Sequence, residues 1–261
     1  MKRIFFAACA VAALAAGSAG AADMPARVAM QTQPRAGCAQ FGGLYIGGNV
    51  GWGYYDHRWN DRDAWSGTND DDLHRSNVNA SKSGFLGGVQ GGYNFQMNCT
   101  VFGIEADYAW GNIKNDTLET DGEIGAALDT LSIQSRLRGL GSVRLRSGFV
   151  VDNLLLYVTG GLAFADFQRT YTQTDVGLAA TETFQHNSTR WGWAAGFGTE
   201  WAINNNWSIK SEVLYSRFES DQASFTCSAA FTCGLPGAAK RFDNQDSVWV
   251  TRLGVNYRFG G

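Results

Sequence analysis

A chain of 261 residues has room for one large β domain or two small ones, and a net charge of −3 sets up no long-range field for nucleic acid. No run of eighteen apolar residues occurs, which excludes a membrane-spanning helix. Sixteen Phe, nine Trp and nine Tyr stand beside 33 Gly and only three Pro, a mixture suited to long, uninterrupted strands.

The first element is a leader. MKRIFFAACAVAALAAGSAGA carries Lys2 and Arg3, an apolar stretch from Ile4 to Ala16, and small residues ending Ala19-Gly20-Ala21. That pattern is a secretory signal over 1–21, with the mature chain starting at Ala22. The apolar stretch is too short to anchor a membrane, and Cys9 lies inside it rather than after the cleavage site, so no lipoprotein is expected. Export leaves Cys38, Cys99, Cys227 and Cys233 in an oxidising compartment, where three pairings are open. CSAAFTC has no second close pair and no nearby histidine, so disulfide is favoured over metal.

Eight segments then alternate with a period of two. GLYIGGNVGWGYY sets Leu44, Ile46, Val50, Trp52 and Tyr54 against Tyr45, Asn49 and glycines. SGFLGGVQGGYNF sets Phe85, Val89, Tyr93 and Phe95 against Gly84, Gln90 and Asn94. VFGIEADYAW sets Phe102, Ile104, Ala106, Tyr108 and Trp110 against Gly103, Glu105 and Asp107. In RLRGLGSVRLRSG, Leu137, Val143 and Leu145 oppose Arg136, Arg138, Arg144 and Arg146. NLLLYVTGGLAFAD is apolar on both sides; Leu156, Val158, Leu162 and Phe164 are taken as outward. RWGWAAGFGTEWAI opposes Trp191, Trp193, Phe197 and Trp201 to glycines and Glu200, and WSIKSEVLYSR opposes Trp207, Ile209, Val213 and Tyr215 to Lys210 and Glu212. RLGVNYRFGG closes the chain with Leu253, Val255, Tyr257 and Phe259 against Arg252, Gly254, Asn256 and Arg258.

Long gaps at 56–82, 111–132, 167–189 and 217–246 alternate strictly with the short links QMNC, VDN and NNN. An even number of tilted strands with alternating long and short connections is the pattern of an outer-membrane barrel. A sheet in hydrocarbon must close on itself, which also explains charges inside and aromatic side chains outside. The expected fold is an all-β, eight-stranded antiparallel up-and-down transmembrane barrel. Its domains are the leader 1–21, a periplasmic N-terminal segment 22–40 and the barrel 41–261.

FGGLYIGGNVGWGYY, GVQGGYNF, VFGIEADY, LLYVTGGLAF and the closing LGVNYRF, in that order, resemble the alphaproteobacterial outer-membrane barrel family that includes the major surface antigens of Brucella and rhizobia. The resemblance covers the chain from about Phe41. It implies an eight-stranded barrel with periplasmic ends, a part in envelope integrity and surface exposure, and relatives described as porin-like or haem-binding. It also implies a closing signal for the barrel-insertion machinery at Arg252, Gly254, Tyr257 and Phe259, here followed by Gly260 and Gly261. In that topology Cys38 and Cys99 belong at the periplasmic rim and Cys227 and Cys233 in the last outer loop, so the expected bonds are Cys38–Cys99 and Cys227–Cys233.

The candidate lumen network is Glu105, Asp107, Glu200 and Glu212 with Arg136, Arg138, Arg144, Arg146, Lys210, Arg252 and Arg258. Glu105 and Asp107 are expected to pair with the Arg136/Arg138 strand. Eight strands enclose a space that side chains just fill, so a charged plug is expected in preference to an ion path. His57, His74 and His186 fall in the long gaps, and His186 precedes Asn187 and Ser188; a rim enzyme editing lipid A would need such a pair. TNDDDLH lacks the spacing of a Ca²⁺ loop. No phosphate loop, nucleophile elbow or zinc pattern occurs, and no cofactor or metal is expected. The expected function is a structural, surface-exposed envelope protein, with a small porin and a lipid A-modifying enzyme as alternatives. Its expected partners are outer-membrane lipid and lipopolysaccharide, the insertion machinery, and an extracellular ligand of the four long gaps.

Overall fold

The computed structural model describes residues 37–61, 78–121, 129–175, 180–226 and 239–259. The leader, His74, TNDDDLH, Cys227 and Cys233 lie outside them. The strands are β1 (Gly43–Asp61), β2 (Val78–Met97), β3 (Thr100–Asp121), β4 (Asp129–Val151), β5 (Leu154–Asp175), β6 (Ala180–Ala202), β7 (Trp207–Phe218), β8 (Asp221–Thr226) and β9 (Ala239–Arg258). Consecutive strands from β1 to β7 pair antiparallel, and β1 pairs back onto β9 from Tyr45↔Arg258 to Asp61↔Phe242. β7 and β8 are two lengths of one stave, interrupted at Glu219 and Ser220, and both lie against β9. The ring therefore has eight staves, with no helix among the described residues.

One end of the ring carries the tight turns. Asn98 and Asp152 take φ values of 54° and 52° there, the left-handed conformation that Asn and Asp tolerate best. At the other end the strands run further than expected. Much of 56–82, 111–132, 167–189 and 217–246 is paired β-ladder rather than loop, and most strands have 19 to 23 residues. The reason is chemical. Past the apolar band the outward positions become Ser81, Ser83, Gln134, Gln168, Thr170, Gln185 and Asn187, so pairing continues while hydrophobic alternation fades. Cross-strand hydroxyl pairs such as Thr172–Thr183 and Thr174–Thr181 support this overhang.

The outer wall has two aromatic belts. Near the turns stand Trp201, Trp207, Tyr257 and Phe259, with Trp207 and Phe259 packed on either side of Tyr257 at 5.1 Å between ring centres. Higher up come Trp52 on Phe85, Phe164 on Trp191, and Trp193–Tyr215–Trp249. Aliphatic side chains fill the space between: Val50, Val89, Leu145, Val158, Leu162 and Leu253. From Leu154 to Phe164 along β5 is roughly 33 Å of strand, which at a 45° tilt gives an apolar band roughly 23 Å tall.

The fourth stave corrects the sequence pattern. Between Ile113↔Leu137 and Trp110↔Gly139, β3 advances three residues while β4 advances two; against β5, β4 advances two while β5 advances one. A bulge of this kind exchanges the faces of everything beyond it. Ser142, Arg144 and Arg146 point inward, but below Gly139 in number the inward set is Ser135 and Leu137, and Leu137 is fully buried. Arg136 and Arg138 consequently stand on the outer wall, and Leu137, expected outside, packs in the lumen.

Val158 is 62% exposed between the belts. Val158→Arg is expected to cost roughly 2–4 kcal/mol of unfolding free energy in lipid vesicles, the mid-bilayer penalty for a cation. An unchanged denaturation midpoint would reverse the facing of β5.

Candidate functional site

The lumen is stacked in four layers. At the turn end Phe41 is buried with Val101, Val150, Leu155, Tyr157 and Ala202, and Cys38 and Ala39 pack against this cluster. The segment is tied down by polar bonds: Ala39 N–H donates to the Asp152 carbonyl at 2.8 Å, Phe41 N–H to Gln96 Oε1 at 2.6 Å, and Asn94 Nδ2 to the Phe41 carbonyl at 2.9 Å. A Cys38–Cys99 disulfide fixes it to the β2–β3 turn. Arg258 lies with its guanidinium 4.9 Å from the centre of the Phe41 ring and donates to the Asn205 carbonyl.

Above it lies the ionic layer. Glu105, Asp107, Glu200 and Glu212 face Arg144, Arg146, Lys210 and Arg252, so the charges of these eight side chains cancel. Arg144 is the hub: Nη2 donates to Glu105 Oε1 at 2.6 Å and Asp107 Oδ1 at 2.9 Å, Nη1 to Glu212 Oε1 at 3.1 Å, and Nε to Ser142 Oγ at 2.8 Å. Arg252 closes the same ring with Nε on Glu212 Oε2 at 2.7 Å and Nη1 on Asp107 Oδ2 at 2.9 Å. Lys210 Nζ grips both oxygens of Glu105 at 2.6 and 2.7 Å. Arg146 holds Glu200 Oε2 at 2.6 Å and lies over the Tyr157 ring at 4.2 Å.

Neutral groups complete the satisfaction that buried ions require. Tyr45 OH donates to Glu105 Oε2 at 2.6 Å, Tyr157 OH to Glu212 Oε1 at 3.0 Å, and Ser208 Oγ to Glu200 Oε1 at 2.5 Å. Asn256 Nδ2 donates to Glu200 Oε1, Gln90 Nε2 to Asn256 Oδ1, and Asn49 Nδ2 to Gln90 Oε1. All eight staves thus contribute to the layer. Glu105 and Asp107 do not meet Arg136 or Arg138 as expected; their register partners are Arg144 and Ser142. The reason is the face exchange on β4.

A third layer is apolar, in addition to the charged plug that the sequence suggests. Tyr55, Leu86, Ile113, Leu137, Phe167, Phe218 and Val248 form one buried cluster. A fourth, polar layer caps it around Asp246. Its Oδ1 accepts from Tyr55 OH at 2.7 Å and meets His57 Nδ1 at 2.7 Å; its Oδ2 accepts from Arg169 at 2.6 Å and Arg190 at 3.3 Å. Sequence reasoning missed this cluster because these residues lie at or beyond the edges of the recognised segments. His57 is on β1 facing inward, not in a loop, and no serine bonds its Nε2 among the described residues. His186 lies on β6. At the closing strand, Arg252 and Gly254 face the lumen while Tyr257 and Phe259 face outward.

Comparison with known proteins agrees with this architecture. Residues 7–259 match the family described as outer membrane protein beta-barrel domain. The 31 kDa outer-membrane immunogenic protein of Brucella melitensis is 33% identical over 228 residues, covering 83% of this chain and 87% of that protein. The 22 kDa outer membrane protein of Rhizobium leguminosarum bv. viciae is 27% identical over 176 residues, 67% of each chain. The crystal structure of the outer membrane protein OprG from Pseudomonas aeruginosa superposes with a TM-score of 0.52 at 14% identity, covering 87% of this chain and 99% of that one. That likeness is one of fold.

Arg144→Met removes a cation shared by Glu105, Asp107 and Glu212 and is expected to cost about 3–5 kcal/mol, the usual penalty for breaking a buried ionic network. Arg138→Met, on the outer wall, is expected to leave the urea midpoint in detergent unmoved. Equal effects of the two substitutions would contradict the bulge.

Proposed function

The chain belongs to the outer membrane protein β-barrel family and is an outer-membrane protein, and from that premise we propose that it serves the envelope as a closed barrel, without turnover chemistry. The observation that carries the reading is the ionic layer, whose eight opposite charges are spent on one another rather than on a passing ion. The apolar cluster above it and the Phe41 segment below it support closure at two further levels. The turn end faces the periplasm, as short connections do in such barrels, and the extended polar ladders project outward as the surface-exposed part. A rigid cylinder with a braced interior suits a mechanical and display role, because it holds those ladders without needing a solute path. Against the enzyme alternative, His57 is oriented by Asp246 yet has no described nucleophile on its free ring nitrogen. A rim hydrolase needs both.

Refolded protein in a planar bilayer is expected to give no steady conductance at either polarity; discrete, sustained steps would replace the closed reading with a small pore. Lipid A masses are expected to be identical in cells with and without the protein, and a lost acyl chain would establish the enzyme. Cys227 and Cys233 are proposed to pair outside the cell. Non-reducing peptide mapping should find them linked, and their alkylation without reductant would sink that bond.

A further inference from the structure

The face exchange on β4 has a consequence outside the barrel. Lys114 and Arg136 are register partners on adjacent strands, and both point away from the lumen. Arg138 stands two residues nearer the apolar band and is exposed, as the residue that the register skips between Leu137 and Gly139. Lys114 is four residues past Trp110, which is 56% exposed in the upper aromatic belt. Four residues of tilted strand are roughly 13 Å of length and roughly 9 Å of height. The three cations therefore occupy one two-stave strip at the level where headgroups begin.

None of the three has an ion pair or hydrogen bond within the described protein. That contrasts with the ionic layer inside, where each cation is matched, and with Arg58 on the outer wall of β1, which pairs with Asp56 at 3.5 Å. Two carboxylates lie nearby. Asp166 is already engaged by hydroxyls, accepting from Tyr108 at 3.1 Å and Thr189 at 2.7 Å. Asp116 is exposed two residues beyond Lys114 and has no described partner. The strip keeps an excess of positive charge, two of whose members are guanidinium forks suited to phosphate oxygens.

We propose that Lys114, Arg136 and Arg138 form a docking strip on the outer wall for the phosphate groups of a phosphorylated glycolipid in the surrounding leaflet. Position selects the occupant. The ring of lipids that seals the belt at Trp110, Phe164 and Trp191 must present its headgroups to this strip, whereas a soluble partner would have to approach sideways through them. The ligand is held at high local concentration by the bilayer, so modest contacts suffice. This inference does not depend on whether the lumen conducts.

The test uses the refolded mature barrel in phosphatidylcholine nanodiscs doped with bisphosphorylated lipid A, with retained lipid A counted by native mass spectrometry. Lys114→Gln with Arg136→Gln and Arg138→Gln is expected to weaken retention by roughly a hundredfold, three cations' share of surface attraction. Arg136→Lys with Arg138→Lys, which keeps the charge, should retain most of it. Arg217→Gln, a single outward cation on β7, should change little, whereas dephosphorylated lipid A in place of the phosphorylated form should not be retained. Far-ultraviolet circular dichroism and heat-shifted gel mobility check that each variant is folded. Retention by the triple variant equal to wild type, an equal loss in Arg217→Gln, or equal binding of dephosphorylated lipid A would overturn the proposal. Displacement by inorganic phosphate at matched phosphate concentration would also overturn it, by making the strip a small-anion site.

Discussion

In hydrocarbon no water is available for a stray N–H or carbonyl, so each backbone polar group must find its partner within the protein. The seam between β1 and β9 meets that demand where an open sheet would leave two edges, pairing Tyr45 with Arg258 and continuing to Asp61 with Phe242. Everything else in the molecule follows from closing that seam. Once the sheet is a ring, one face of every strand meets lipid and the other meets its own opposite wall. Leu253, Val255, Tyr257 and Phe259 can then be greasy without aggregation, and Arg252 and Asn256 can be polar without touching lipid.

Closure also creates the problem that the interior solves. Charges turned inward lose water and must be compensated by neighbours across the lumen, at distances the ring diameter dictates. Arg144 reaches Glu105 and Asp107 on the adjacent strand and Glu212 three staves away, and Arg252 returns to the same carboxylates from the other side. Tyrosines at Tyr45 and Tyr157 fill the gaps that guanidinium geometry leaves. The layers above and below it are clusters of buried apolar side chains. The arrangement links staves across the width of the cylinder as well as around its wall.

The bulges between β3, β4 and β5 show how one irregularity changes which side of the wall a residue takes. Arg136 and Arg138 match Arg144 and Arg146 in strict alternation, and a period-two reading places all four together. A single extra residue separates the pairs, sending one to the ionic layer and the other to the outer wall. The same site admits Gly139 because the Tyr108 hydroxyl and the Asp166 carboxylate occupy the space where a β-carbon would stand.

Local pattern by itself determined the strands of the apolar band, the facing of most of them, the ring class and the inward position of Glu105, Asp107, Glu200, Lys210, Glu212 and Arg252. It could do so because lipid imposes a rule on each alternate residue, readable without knowing any neighbour. Where that rule lapses the reading stops: the polar ladders beyond the belt and the Asp246 cluster have the same strand geometry but no lipid to write alternation into them. Only the tertiary structure decided which cations meet which carboxylates, since Arg144 and Glu212 are joined by ring geometry and not by sequence spacing. It alone decided the side taken by Leu137, Arg136 and Arg138, because a bulge is a disagreement in register between strands, and register belongs to the pair and not to either strand.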